Sequence, residues 1–341
     1  MNINQLGEFR LIDRLNRILP IDDKDVIVGY GDDCACVKVD DTLLLFTIDI
    51  QVEGSHFLKE KINPKDLGWK LSTSNVSDIV SCGGNPRWAL LSLGLPKDLE
   101  YGFIEGVYQG IREAQDYYGF FTIGGNVSAC NQVMIDMAMV GQTDRFVGRF
   151  GAKPGDYLYI SSYLGLSKSG LELILMDKKE YEDFEKRLIN KHYRPIARVD
   201  LVETVKQANS CIDISDGLVA DLWHIVEKSN VKIVIEKEKL PIHPDLELYC
   251  KKYNKNLYDY ILYSGEEYQL ALTSAKELGL IKVGYVEEGN GVYLKEKSDL
   301  KLLEKTGFQN TLPTQQQHHL ELTKDLTLLD KRLLHLLLVL S

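Results

Sequence analysis

Aspartates recur in this sequence in short clusters set against apolar residues. In CIDISDGLVADLWHI, residues 211–225, Asp213, Asp216 and Asp221 fall within nine positions. Cys211, Ile212 and Ile214 read as the end of a buried strand, and Gly217 onward reads as a helix with Leu218, Leu222 and Ile225 near one face. Carboxylates at such a junction are costly unless paired. Either they cap the helix or something cationic sits beside them. The same character returns in Gly31-Asp32-Asp33, in Thr47-Ile48-Asp49 and in the run Asn75 to Asp78. Such clusters suit Mg²⁺, which takes hard oxygen ligands and bridges carboxylates to nucleotide phosphates. A phosphoryl-transfer enzyme must hold two polyanions together, with Lys and Arg or with Asp-bound metal ions. The chain carries no GxxxxGK[ST] loop and no kinase HRD or DFG triplet, which leaves the second solution. Each cluster also has a local reading. Asp216 can cap the helix from Gly217, Asp78 can be a partly exposed helical acid, and Asp32 can belong to a Gly-Asp turn.

Alternating strands and helices would position these groups. Leu6, Phe9, Ile12, Leu15 and Leu19 predict an amphipathic helix over about 4–19. Strands follow from Val26 to Ile50, turning at Asp40-Asp41. Asn63 as cap, Pro64 at the first helical position and Asp66 in the first turn predict a helix that ends at Gly83-Gly84. RWALLSLGLP, FFTIGG and VMIDMAMVGQ read as strands, with a helix over 103–118. Gly148, Gly151, Pro154 and Gly155 mark a crossing into a second half that opens with the strand DYLYIS. Helices near 166–192 and 196–208 and the strand VKIVIE complete it. After Phe308 the chain turns Gln-rich and then Leu-rich, an accessory tail without evident chemistry.

The 341 residues suffice for two domains with real cores, and 44% apolar residues fit a globular protein. A net charge of -10 argues against sequence-independent nucleic-acid binding. Six cysteines form no CxxC pair, and Cys34 and Cys36 alternate as core side chains, so a reducing compartment is expected. No leader pattern opens the chain and no 18-residue apolar run crosses it, so a cytoplasmic protein without a membrane span is expected.

The order and spacing of several motifs resemble the thiamine-monophosphate kinase family, within the ATP-dependent enzymes related to aminoimidazole ribonucleotide synthetase. The carriers are GDDCA, TIDIQVEGSHF, NVSDIVSCGGNPRWALLSLGLP, IGGN, GRFGAKPGDY, KHYRPIAR, IDISDGLVADLWHI and SGEEYQLALT. The resemblance runs from about Leu6 to Phe308. It implies a two-domain α/β (α+β) fold: an ATP- and metal-binding domain over 1–147 whose sheet forms a homodimer interface, a second α/β domain over 148–308, and the tail 309–341. The implied reaction is direct in-line transfer from ATP to thiamine monophosphate, with several Mg²⁺ ions offsetting phosphate repulsion and no phosphoenzyme. Position by position, it implies metal ligands at Asp33, Thr47, Asp49, Asp78, Asp213 and Asp216. ATP contacts fall at Tyr108, Gly125, Arg149 and Ser215. His56 and Glu266 match substrate contacts, and Phe308 a late aromatic that stacks on thiamine.

The chain departs from the family pattern in places. Asn126 replaces the Asp of a GGDT motif, an amide that keeps an oxygen for metal and ATP but gives up a charge. Glu267 replaces another Asp, and Ile48 splits the usual TD pair so that only its backbone oxygen is on offer. Two alternatives stand beside the kinase. One is a sister enzyme of the same architecture; selenophosphate synthetases carry a reactive Cys or selenocysteine near the N-terminus, whereas the first cysteine here is Cys34. Hydrogenase-maturation relatives end in Cys, whereas Ser341 stands last here. The other is a binding module without turnover.

Overall fold

The computed structural model describes residues 8–305, so Phe308 and the tail 309–341 lie outside the described residues. Residues 21–308 form one compact unit that contains both sheets, and α1 (Glu8–Asn16) is not part of it.

The first sheet has the order β1 (Val26–Val28), β2 (Ala35–Val39), β3 (Thr42–Val52), β6 (Met134–Thr143), β4 (Asn85–Leu95), β5 (Phe121–Ala129). All neighbours run antiparallel except β4 and β5, whose parallel pairing requires the crossover helix α3 (Tyr101–Tyr118). Alternation along β3 turns Leu45, Thr47, Asp49 and Gln51 inward and leaves Phe46, Ile48 and Ile50 exposed on the other face.

Helix α2 (Pro64–Ser81) begins as its sequence predicts, with the Asn63 side chain accepting from the Lys65 N–H and Pro64 in the first turn. It stops at Cys82, and Gly83 follows with φ +74°. From Leu67 to Ser81 every residue but Asp78 is buried, because α2 lies between the first sheet and strand β8 (Ser210–Ile214) of the second. One apolar core fills the space around it, joining Leu45, Leu91 and Met137 to Cys211 and Leu270.

The second sheet has the order β13 (Asp299–Leu303), β12 (Gly291–Glu296), β9 (Lys232–Glu236), β11 (Ile281–Glu287), β7 (Tyr157–Ile160), β10 (Gln269–Ser274), β8. Helices α4 (Leu166–Met176), α5 (Asp183–Tyr193), α7 (Leu218–Ser229), α8 (Pro244–Tyr253) and α9 (Leu257–Tyr263) build a second core with it. The crossing expected at 147/148 falls in the connection from β6 to β7.

Two expected helices differ. The one near 166–192 is broken in two: Asp177 takes φ +50°, and the Glu182–Glu185 capping box starts α5 afresh. The stretch 196–208 holds only the short α6 (Val202–Val205) after a 3-10 turn. Its beginning is tied elsewhere, since Pro195 O accepts from Trp69 Nε1 at 2.6 Å and the Ala197 N–H donates to Tyr118 Oη at 3.1 Å.

Helices α2 and α3 approach closely through two glycines. A Cβ on Gly68 would lie 2.0 Å from Val107 O, and one on Gly110 would lie 1.9 Å from Lys65 O. Backbone cannot yield as a side chain can. Gly110→Ala should therefore cost about 1–3 kcal/mol or more, read as a lowered midpoint in urea unfolding; an unchanged midpoint would refute this packing.

Candidate active site

Three chain segments deliver carboxylates to one place. The bend after Gly31 brings Asp32 and Asp33, α2 brings Asp78, and the end of β8 brings Asp213. Ligand oxygens of Asp33, Asp78 and Asp213 all lie within 4.8 Å of one another. Hydroxyls hold them there. Thr47 Oγ1 donates to Asp78 at 2.5 Å, Ser77 Oγ to Asp213 at 2.7 Å and Ser81 Oγ to Asp33 at 2.6 Å. Asp49, on the inward face of β3, acts electrostatically on Asp78.

Burial and then mutual repulsion push Asp78 and Asp213 well above the usual carboxylate range. Asp32 is pushed up to about 7 by burial and then by Asp33. Arg149 answers with one positive charge: Nη2 donates to Asp33 at 2.5 Å and the backbone N–H to Asp32 at 3.0 Å. Burial alone would lower Arg149, but Asp33 and Asp32 hold it firmly protonated. The Asp33–Asp78–Asp213 donor set is all oxygen, which fits Mg²⁺, while Asp33 also shares a neighbouring group with Asp32 and the Cys82 thiol.

The other expected residues distribute as follows. Ser215 O accepts the Glu266 N–H at 2.7 Å, so the SGEEY loop rests on the DISD loop. Glu266 acts electrostatically on His56. His56 Nδ1 accepts the Val52 N–H at 3.1 Å, which leaves Nε2 to carry its proton. Asp216 acts on Asp221 and stands outside the close triad. At the start of α7, Asp221 accepts the Asp216 and Gly217 N–H groups. Tyr108 is 44% exposed on α3, where Val107 and Ile111 fill the core positions. Gly125 sits with its missing Cβ 2.1 Å from Leu91 O, a packing reason for glycine. Asn126 is not brought to the triad. Its register row, Ile50–Asp136–Ser92–Asn126, lies on the opposite face of the sheet from Asp49.

Several members were missed from the sequence. Lys70, Ser74, Ser77 and Ser81 line one side of α2 together with Asp78. Their spacing of three and four was a legible sign that this buried helix carries a polar stripe. His192 gave no such signal, since it meets the site through tertiary packing alone, whereas Glu267 stood out only as a departure from the family motif. Glu267 accepts from Gly165 N, Ser167 N and Ser264 Oγ, and burial still pushes it to about 7.

Residues 31–143 match the family described as AIR synthase related protein, N-terminal domain. With the two sheets and the carboxylates between them, this defines an AIR synthase-like α/β protein. A thiamine-monophosphate kinase of Aquifex aeolicus is 47% identical over 303 residues, covering 87% of this chain and 97% of the relative. One from Pyrococcus horikoshii is 34% identical, covering 83% and 91%. The solved structure of AaThiL complexed with AMPPCP and TMP has a TM-score of 0.85 at 44% identity, covering 91% of this chain and 99% of that one. The chain belongs to the thiamine-monophosphate kinase family.

The raised carboxylates make stability depend on pH with a definite sign. A folded-state pKa above the unfolded value favours the protonated fold, so stability is full below about 3.8 and is lost as pH rises towards about 7, the value of Asp32. Without divalent cations the melting temperature should fall between about pH 5 and 8, and Mg²⁺ should restore it at the upper end. Asp213→Asn should raise the metal-free value at pH 8 by on the order of 2–4 °C per kcal/mol recovered and shrink the Mg²⁺ response. Scanning calorimetry that shows no pH slope and no Mg²⁺ response would contradict this.

Proposed function

We propose that this protein transfers the terminal phosphoryl group of ATP to thiamine monophosphate, giving ADP and thiamine diphosphate. The observation that carries the reading is the meeting of Asp33, Asp78 and Asp213 from three separate segments, in a chain of this family. The solved relative holds AMPPCP and TMP, a nucleotide analogue and a phosphate-bearing acceptor.

Asp33, Asp78 and Asp213, with Thr47 and Asp49, would hold Mg²⁺, and Asp216 lies near enough in sequence to extend the set. Ions bound there would neutralise the phosphates of donor and acceptor. The chain's own groups do the rest. Arg149 offers a guanidinium to a nucleotide phosphate, and Ser215, Gly125 and Tyr108 are further proposed ATP contacts, whereas Asn126, on the other face of the first sheet, is left outside this set. His56 presents Nε2–H, and Glu266 presents a carboxylate, to the acceptor. Direct in-line transfer without a covalent intermediate is the route this reading takes, and the Cys34 and Cys82 thiols, pushed above their ordinary range by burial, are poor nucleophiles. Catalysis is then positioning and charge neutralisation, and the cytoplasm is the proposed location.

A second copy of the chain is the partner this reading takes. On the outer face of the first sheet, Phe46, Ile48, Leu90 and Phe121 are each at least 40% exposed. Such a continuous apolar face is a surface built to be covered.

A coupled assay with thiamine monophosphate and ATP should yield thiamine diphosphate only when Mg²⁺ is added. Folded protein that forms none would reject the kinase in favour of a binding module or a sister enzyme. Asp49→Ala should lower turnover at least about a hundredfold while the protein stays folded; near-normal rates would remove Asp49 from the metal set. Leu90→Glu should convert a dimer to a monomer in light scattering, and a monomeric parent would rule out the pairing.

A further inference from the structure

A second buried charge group stands beside the carboxylates. Lys70 is 1% exposed, one turn before Ser74 on α2. Its Nζ donates to Glu266 Oε1 at 2.7 Å and lies 3.4 Å from His192 Nε2. An ammonium has no acceptor, so His192 Nε2 must accept and Nδ1 must carry the proton. That Nδ1 lies 3.0 Å from Ser167 Oγ and 3.7 Å from Glu266 Oε2. Oε1 of Glu266 is therefore bonded by Lys70, which His192 Nε2 backs in turn, while Oε2 lies beyond hydrogen-bond reach of the ring. Its backbone is fixed too, at φ +55° with the N–H on Ser215 O, and its side chain remains 31% exposed.

The charged and titratable groups facing Glu266 are Lys70 from α2, His192 from α5, His56 from the β3–α2 connection, Asp49 from β3 and Tyr268 of its own loop. Burial pushes Glu266 up, and the Lys70 charge more than offsets this, so it stays below the usual range. Burial holds His192 near 3 and lowers His56, so both rings are neutral. Lys70 is thus the positive charge against which Glu266 is balanced.

We infer that Lys70 and His192 are positioning residues for acceptor recognition, holding Glu266 as an ionised carboxylate aimed at the cationic thiazolium ring of the acceptor. This rests on the reading that the acceptor is thiamine monophosphate. Glu266 acts on the ring by charge, while Lys70 and His192 act only through Glu266.

The test measures thiamine monophosphate binding by calorimetry, together with KM for each substrate, on the full chain. Lys70→Met should weaken thiamine monophosphate binding about tenfold or more and leave KM for ATP within about twofold. The loss should deepen as pH falls from about 8 to 6, because Glu266 without its partner takes up a proton; the parent should show no such slope. Glu266→Gln should weaken binding alike, and the double variant should bind no more weakly than Glu266→Gln alone. Should Lys70→Met fail to fold, His192→Gln serves, with a smaller loss confined to thiamine monophosphate. Additive losses, equal losses for both substrates, or unchanged acceptor affinity in the folded variants would overturn the inference. A parent that does not bind thiamine monophosphate would overturn the acceptor assignment and this inference with it.

Discussion

Like charges forced together out of water are the constraint around which this protein is arranged. Asp33, Asp78 and Asp213 approach within 4.8 Å, and Arg149 is the cation set against them. Left to itself, such a group opposes folding, since each buried carboxylate loses hydration and repels the next. The surrounding structure must hold them in place. It does so through donors that bond a carboxylate without filling its remaining lone pairs: Thr47, Ser77 and Ser81. Those lone pairs are what a divalent ion requires.

Helix α2 is where this constraint meets the fold. Lying between two sheets, it cannot be amphipathic in the usual sense, with one wet and one dry side. Leu67, Leu71, Val76, Ile79 and Val80 enter the core, whereas Lys70, Ser74, Ser77 and Ser81 are equally buried and face charge. Gly68 and Gly110 let α3 press on its outer side at backbone contact. Rigid placement follows from that pressure, and a site built from three distant segments depends on it.

Local signals in the sequence reported local facts. The Asn63 cap, Pro64 and the glycines after Ser81 delimit α2, and the alternation of β3 sets Thr47 and Asp49 on one face. The family motifs pointed to carboxylates that do converge, with Thr47 and Asp49 beside them. Where tertiary contacts override local preference, the sequence was silent or misleading. Nothing local shows that Asp177 breaks one helix into two, that Asp221 accepts the N–H of Gly217, or that His192 reaches back to Lys70. Asn126 illustrates the same limit. Its motif groups it with the metal ligands, but the strand register decides its face.

The two buried charge groups handle charge in opposite ways, and the difference suits them to different ligands. Around Asp33 the fold leaves carboxylates in excess, which disposes that region to bind cations and, through them, phosphates. Around Glu266 the fold supplies Lys70 and two neutral imidazoles, so the group is balanced before anything arrives. A balanced pair attracts no metal ion, and its carboxylate is free to recognise by direction and shape. A molecule with a phosphate at one end and a cationic ring at the other would meet both demands at once. Its phosphate would reach the first region by way of metal ions, and its ring would face Glu266. That polarity, set by which carboxylates the fold balances, would orient such a molecule before any transfer began.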